Sequence, residues 1–472
     1  MKVAFIQRDA YEKIGVHQLL GCLKTHPYIE CDLFVKELEP NFYDQIIAFQ
    51  PDYILYSLLI GEESFMLKSF EQLKLNLPKV KTVLGGPFTL VFPEIIKKTQ
   101  VDFVIRGDGD HSLPQFLHLC NKGESIKCVP GISFKETNGD IFTNNNIKLT
   151  SDLQSLPDPD RDLYYKYNEL RTNDTKIFII SRGCPYRCTY CYNAELKSFF
   201  DSPYWRMRDD EAVCREIEYV KDNYGLKWVH FQDGTFNANV KWLKSFFVKY
   251  KNRNLPPFLC NCRVETIDEE FISFMKDAGC ERITFGIQSG NQEIRARVAG
   301  RRMSNEQIEN AFKLCHEYKI RVGADIIFGW PGETREQAMD TIRLCRQIKA
   351  STYHSNVLIP YPGLSLTRDS INKGYMDHEP SLEEISKLTK NKSLVQQDNI
   401  NLLINMDKLF YYMIKLPWLV IMLKLLLRIP PNRIFNIVKN LHLLKRNLKY
   451  NTTGNITYLD LIKSYIKFNW NN

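Results

Sequence analysis

The segment Ser181-Arg-Gly-Cys-Pro-Tyr-Arg-Cys-Thr-Tyr-Cys-Tyr-Asn193 constrains this chain more than any other. It sets Cys184, Cys188 and Cys191 in a C-x3-C-x2-C spacing, directly after an apolar stretch, Ile177–Ile180, that reads as a β-strand. Three thiolates on one short loop can ligate three corners of a four-iron four-sulfur (4Fe-4S) cluster. The fourth iron then lacks a protein ligand and is open to a substrate. A structural zinc site wants four closed ligands, usually as two C-x2-C pairs, and no second pair follows here. The other reading is three buried free thiols; Gly183 and Pro185, which break regular structure around the first cysteine, argue against it. The remaining cysteines are scattered singly, which suits a reducing cytoplasm better than a disulfide scaffold.

A strand–helix rhythm surrounds the loop. Between residues 174 and 365 the strand candidates are Ile177–Ile180, Trp228–Gln232, Phe258–Arg263, Arg282–Ile287, Val322–Phe328 and Ser355–Ile359. Thr266-x-x-Glu269, Ser304-x-x-Gln307 and Thr334-x-x-Gln337 read as capping boxes at helix starts. Six such units predict a partial (β/α)6 barrel, in which chemistry gathers at the carboxyl ends of the strands. Those ends are polar or glycine-rich: Gln232-Asp233-Gly234, Asn261 to Glu265 with Arg263, Gly286 to Gly290 with Gln288 and Ser289, and Phe328 to Thr334 with Gly329. Arg263 can pair bidentately with a carboxylate or sit in a surface salt bridge. Asp233 can bind a ligand or cap its loop. Cys260 and Cys262 are read as facing opposite sides of their strand, so that one of them would reach the barrel interior or serve as a small core residue.

Residues 1–118 carry five shorter apolar runs, Val3–Ile6, Cys31–Val35, Tyr53–Leu59, Thr82–Leu84 and Phe103–Ile105, each separated by enough chain for a helix. They predict an α/β, doubly wound, flavodoxin-like parallel sheet, with ligands at its carboxyl edge. The turns there hold Ser57, Gly85, Gly86, Gly107 and Asp108. They read either as a ligand cradle or as ordinary strand-to-helix turns. Pro130-Gly131 and Asn138-Gly139 mark turns before a connector, and Leu156 to Arg161 reads as a rigid polar crossing. The expected division is 1–140, connector 141–172, barrel 173–370 and a basic, mainly helical region 371–472.

Net charge is +8, but residues 401–472 hold 11 Lys+Arg against 2 Asp, so that region alone is +9 and the remainder about −1. The basic excess belongs to the tail, which argues against a nucleic-acid groove across the fold. The apolar run 409–429 is interrupted by Lys415, Pro417 and Lys424, a poor spanning helix. It reads either as an interfacial helix with snorkelling lysines, giving peripheral contact with the inner membrane face and a lipid substrate, or as a helical cap on the barrel.

The cysteine loop, with Tyr190 in an aromatic slot before the third cysteine, resembles the signature of the radical S-adenosylmethionine (SAM) superfamily. The Gly286 to Gly290 block and the strand-end clusters are similar to that family's as well. The resemblance implies that Cys184, Cys188 and Cys191 hold a 4Fe-4S cluster whose open iron chelates SAM. It further implies reductive cleavage of SAM to a 5′-deoxyadenosyl radical, and SAM contacts from Tyr190, Gln232, Asp233, Gly234, Arg263, Gln288, Ser289 and Gly329. Residues 1–118 resemble the cobalamin-binding domain that precedes many radical SAM barrels, which implies corrin contacts from Ser57, Gly85, Gly86, Gly107 and Asp108. One departure is plain: residues 9–15 read Asp-Ala-Tyr-Glu-Lys-Ile-Gly and carry no Asp-x-His-x-x-Gly motif, although His17 is nearby. The resemblance also implies a small-molecule or lipid substrate, a reducing donor such as flavodoxin or ferredoxin, and a radical reaction ending in methylation. Cyclisation or rearrangement without methyl transfer is the alternative, and a nonenzymatic iron–sulfur protein is the remaining rival.

Overall fold

The computed structural model describes residues 1–388, 391–417 and 429–450, with side chains to residue 443. Strand β1 (Lys2–Gln7) is buried at five of its six positions, the continuous apolar run of a strand covered on both faces. It pairs in parallel with β2 (Glu30–Val35) and β3 (Tyr53–Ser57), and the sheet continues through β4 (Lys81–Gly85) and β5 (Phe103–Ile105). The order 2-1-3-4-5 is the flavodoxin-like one. The sheet then runs further than the sequence implied. β6 (Ile132–Lys135) and β7 (Ile141–Thr143) extend it as an antiparallel hairpin. Gly131, at φ +70°, makes the turn into β6; a Cβ there would lie 2.2 Å from the Arg106 carbonyl oxygen.

The connector expected over 141–172 needs correction. These residues belong to the first compact unit, which comprises Met1–Thr172, Ile179–Gly183 and Leu196–Gly225. Arg161 is fully buried, with one guanidinium nitrogen 2.9 Å from Glu12 and another 2.7 Å from Glu216. A run rich in Pro and Asp reads as solvated crossing chain, and its partners are invisible because they lie far away in sequence.

The second unit is built on β8 (Thr175–Phe178). The chain then returns to the first unit for the short antiparallel pair β9 (Ser181–Arg182) and β10 (Arg206–Met207). β11 (Trp228–Phe231), β12 (Phe258–Cys262), β13 (Cys280–Gln288), β14 (Arg321–Phe328) and β15 (Thr352–Val357) complete a six-stranded parallel sheet in the order 15-14-13-12-11-8. This is the expected open (β/α)6 half-barrel. Ser304 and Thr334 form complete capping boxes with Gln307 and Gln337. Thr266 does not: the helix Glu269–Asp277 is capped by Asp268, whose carboxylate accepts from the Phe271 amide, and Thr266 instead takes a hydrogen bond from Asn237. Asp at the N-cap position outcompetes a threonine two residues upstream.

The C-terminal helix Ile400–Lys415 packs on β14, β15 and the helix Arg335–Ile348. The Phe410 ring meets Phe328 and Tyr353 at 5.4 and 5.8 Å. Leu409, Phe410, Met413 and Ile414 are buried there. The start of the 409–429 segment is therefore barrel cap, not membrane surface; residues 418–428 lie outside the described residues. No helix among the described residues is long and apolar enough to cross a membrane.

Candidate functional site

The thiol loop follows β8 and β9 and is fastened through its backbone. Thr189 N–H donates to the Ala299 carbonyl at 3.3 Å, and its own carbonyl accepts from Leu366 N–H at 3.1 Å. The Tyr192 hydroxyl donates to the Pro362 carbonyl at 2.8 Å. Cys184 is buried, while Cys188 and Cys191 are half-buried. Cys184 Sγ lies 3.6 Å from Thr235 Oγ1, and Cys188 Sγ accepts from Arg263 Nη1 at 3.5 Å. Burial raises the Cys191 thiol, and the charges of Cys188 and Cys184 add to that. Three thiols on one loop beside a guanidinium form a donor set for a metal cluster. A single ion would need tighter convergence, and among the described residues no three or more His, Cys, Asp or Glu side chains converge in that way.

The strand-end residues divide into those that meet this loop and those held elsewhere. Tyr190 packs edge-on against Trp330 at 5.3 Å, and Arg301 Nη1 stands 3.4 Å from its hydroxyl. Arg263 bonds the Glu265 carboxylate and stacks its guanidinium 3.8 Å over the Tyr186 ring. Its carboxylate partner is thus its own neighbour in sequence. Gln232 and Gly234 are exposed beyond β11, whereas Asp233 is buried between them. Gln288 has φ +70°, a left-handed conformation for a non-glycine residue at a register shift between β13 and β14. Its amide covers Gly286, where a Cβ would lie 2.5 Å away. Strain of this kind, of order 1–3 kcal/mol, is characteristic of binding sites. Ser289 is fully buried; its hydroxyl accepts from the Asn291 amide at 3.2 Å and faces Thr341. It holds the turn and does not present its oxygen at the rim. Gly329, at φ +80°, packs under Val357 and Ile400.

Tyr186, Thr235, Arg301 and Glu333 escaped the sequence reading because each acts through a contact distant in the chain or inside a tight turn. Glu333 accepts from the amides of Gly329 and Trp330 at 2.8 and 3.3 Å, while its other oxygen has no hydrogen-bond partner. Burial pushes its carboxyl up to about 8. Such a group binds its proton more tightly folded than unfolded. Its contribution is complete below about pH 4.5 and is lost as pH climbs toward 8, with a slope of about 1.4 kcal/mol per pH unit. Glu333→Gln keeps the acceptor and removes the titration. The melting temperature of the parent protein is therefore expected to fall relative to Glu333→Gln between about pH 5 and 8; parallel curves would contradict this.

Strand alternation also fixes which side chains line the concave face. Val229 and Phe231 face the helices, so Trp228 and His230 face inward. The Arg321 guanidinium lies 5.9 Å from the Trp228 ring centre. Asp325 and His354 sit side by side on β14 and β15 at 4.0 Å. The expectation for Cys260 and Cys262 is overturned: positions i and i+2 share a face, and the two sulfurs are 3.7 Å apart. They lie on the side of Phe258, whose ring packs against Phe247 and Tyr250 of the outer helix Val240–Asn252. Neither reaches the interior.

The first unit carries a cleft at the carboxyl edge of its own sheet. A narrow cavity of about 50 Å³ enters between the strands, lined by Leu55, Leu84 and Leu113 together with Ser57, Gly85, Gly86 and Gly107. A wider one of about 280 Å³ shares Ser57, Gly86 and Gly107 and adds Asp108, Arg182 and Arg206. A Cβ on Gly86, at φ +92°, would lie 2.7 Å from the Leu58 amide nitrogen. Gly85 differs: a Cβ there has no neighbour closer than 3.7 Å. Asp108 lines the wall, but its carboxylate is already engaged by Arg206 at 2.5 Å and by the Thr150 amide at 3.0 Å. Asp110 is held by Arg182 at 2.6 Å. His17 is not part of the wall; it is fully buried under Tyr164 at 4.5 Å, with Glu12 at 3.5 Å. A narrow apolar slot opening into a wider polar cleft fits a cofactor with a planar tail and a bulky, amide-rich head.

Residues 178–345 match the model of the radical SAM superfamily, and residues 9–117 match that of the B12 binding domain. The chain is 28% identical over 294 residues to the uncharacterized methyltransferase PH0819 of Pyrococcus horikoshii, covering 61% of this chain and 62% of that protein. It is 24% identical to the anaerobic magnesium-protoporphyrin IX monomethyl ester cyclase of Cereibacter sphaeroides, covering 71% of this chain and 55% of that one. The matches thus span less than two thirds of either relative. The fold is that of the cobalamin-dependent S-adenosylmethionine radical enzyme OxsB, solved with aqua-cobalamin and S-adenosylmethionine bound. The TM-score is 0.70 at 14% identity, over 99% of this chain and 75% of that one.

Proposed function

This chain belongs to the radical SAM superfamily and carries a B12-binding domain ahead of that core, and on that premise we propose that it is an enzyme that cleaves SAM reductively to begin radical chemistry at an unactivated carbon, ending in methylation. The observation that supports this most is the fastened loop of Cys184, Cys188 and Cys191 with the Arg263 guanidinium at one sulfur. In this reading residues 1–140 bind cobalamin, 173–370 hold a 4Fe-4S cluster and SAM, and the C-terminal region from 371 adds the helix Ile400–Lys415 that caps the barrel. When bound, these groups supply a 5′-deoxyadenosyl radical and a transferable methyl group.

The chain's own contribution is position and exclusion of water. Cys184, Cys188 and Cys191 ligate the cluster, and Arg263 balances their charge. Tyr190, backed by Trp330, and the Gly329 turn offer an apolar wall for adenine. Gln232, Asp233 and Gly234 offer backbone and side-chain acceptors to the SAM ammonium. Gln288 offers its amide, and Ser289 fixes the turn that carries it. Ser57, Gly85, Gly86 and Gly107 leave the slot open for a corrin tail, and Asp108 with Arg206 forms its polar wall. His17, enclosed by Tyr164 and Glu12, would not be among the residues that hold the cofactor. The substrate is a small molecule, a reduced flavodoxin or ferredoxin is the donor, and the setting is cytoplasmic. Peripheral contact of the basic C-terminal region with the inner membrane face, and with it a lipid substrate, belongs to the same reading.

The similarity to an anaerobic cyclase supports a second outcome, ring closure or rearrangement without methyl transfer. Anaerobic reconstitution with iron, sulfide and hydroxocobalamin, followed by SAM and dithionite, tests the proposal. The expected result is 5′-deoxyadenosine. A product heavier by one methyl group supports methylation, while loss of hydrogen supports cyclisation. A loaded cluster that yields no 5′-deoxyadenosine would leave only a nonenzymatic iron–sulfur protein.

A further inference from the structure

Large apolar side chains left in solvent are scattered singly over most of this protein, as at Leu75 and Val248. One region differs. Ile434, Ile437 and Leu441, on the helix Arg433–Tyr450, are 69%, 48% and 52% exposed, and Ile429 just before it is 44% exposed. Their spacing of i, i+3 and i+7 puts the three helical residues on one face. This is not a core face awaiting its partner, because the helix already has one. Phe435 is buried against the fold. Lys439 Nζ sits 2.7 Å from Asp407 of the helix Ile400–Lys415, and the His442 ring stacks on Tyr411 at 3.6 Å. The outward stripe is a second apolar face on a helix whose first is occupied.

The sequence of this helix carries charge of one sign only. Residues 433–450 contain Arg433, Lys445, Arg446 and Lys449 besides Lys439, which is already paired with Asp407, and no Asp or Glu. A protein partner of ordinary composition does not require such a bias, whereas an anionic lipid surface rewards each basic residue near it and accepts an apolar stripe at the acyl boundary. The helix is also too polar to cross a bilayer, which leaves it in the plane of the headgroups.

We propose that the Ile434–Ile437–Leu441 face of this helix docks on an anionic lipid bilayer. The membrane contact of the proposed function is thereby moved from the 409–416 stretch, whose Leu409, Phe410, Met413 and Ile414 are buried, to a surface that is exposed. The inference rests on the membrane-contact part of that reading and on none of its cofactors.

The test is flotation of the full chain with phosphatidylcholine vesicles, with and without about 30% phosphatidylserine, read beside 5′-deoxyadenosine formation. The parent protein is expected to float with the anionic vesicles only, and to be released by about 0.5 M salt. The triple variant Ile434→Glu, Ile437→Glu, Leu441→Glu is expected to lose at least about tenfold in bound fraction, with its melting temperature and SAM cleavage unchanged. A parent protein that stays in the dense fraction, or a triple variant that floats as well as the parent, overturns the inference. So does a parent dimer that the triple variant converts to a monomer, because the face then belongs to a second copy. Flotation of a protein that forms no 5′-deoxyadenosine supports this inference and removes the enzyme reading alone.

Discussion

Cys188→Ala, reconstituted like the parent protein, is expected to form no 5′-deoxyadenosine above background from SAM and dithionite. Loss of one of three thiolates leaves a cluster with two protein ligands and two open irons, and iron content is expected to fall with activity. Cys184→Ala and Cys191→Ala should behave alike, since all three sulfurs sit on one loop held by Ala299, Leu366 and Pro362. Arg263→Gln gives a graded contrast. It removes the charge 3.5 Å from Cys188 Sγ and keeps the three ligands. A loss of about 10–100-fold, the usual effect of disturbing a group that orients a metal ligand, is expected there. Full product from Cys188→Ala would mean that the loop does not hold the reacting metal.

The second large effect is expected at Gly85. The Cβ of a leucine at this position would meet only the Ile105 carbonyl oxygen, at an ordinary contact distance of 3.7 Å. Its side chain would instead fill the narrow slot of about 50 Å³ between the strands. Gly85→Leu should therefore fold, keep its iron and cleave SAM. It should bind hydroxocobalamin at least about 100-fold more weakly in an optical titration, about 2.7 kcal/mol. Gly86→Ala is the contrasting variant. Its Cβ would press on the Leu58 backbone at 2.7 Å in a left-handed conformation, so it should lower the melting temperature of the unit itself. Unchanged cobalamin affinity in Gly85→Leu would place the corrin elsewhere.

The parts of this protein that were legible in its sequence are those encoded by spacing. The C-x3-C-x2-C loop, the strand–helix rhythm of both sheets and the Ser304 and Thr334 capping boxes all depend on residues a few positions apart, and they lie where the pattern set them. What escaped depends on distance in the chain. Arg161 looked like part of a solvated linker, yet it closes an ion-pair network with Glu12 and Glu216, 149 and 55 residues away. The β6–β7 hairpin was hidden by its turn signals, which read as connector when no partner strand could be assigned. Asp108 and Ser289 lie where ligand-binding residues were expected, yet both are held by the fold's own groups. Residue type and position identify a candidate; the competing partner that claims its polar atoms appears only in three dimensions. Glu333 is the converse case, a helix-flanking glutamate by sequence that burial turns into a proton-holding acid beneath the Gly329 turn.

The most direct test of the account is metal content and SAM turnover measured on one anaerobically purified sample. The account predicts a cubane iron–sulfur cluster carried by Cys184, Cys188 and Cys191, whose reduced electron paramagnetic resonance spectrum changes when SAM is added and which releases 5′-deoxyadenosine. Zinc in that loop, or a cluster whose spectrum is indifferent to SAM because side chains cap all four irons, would contradict it.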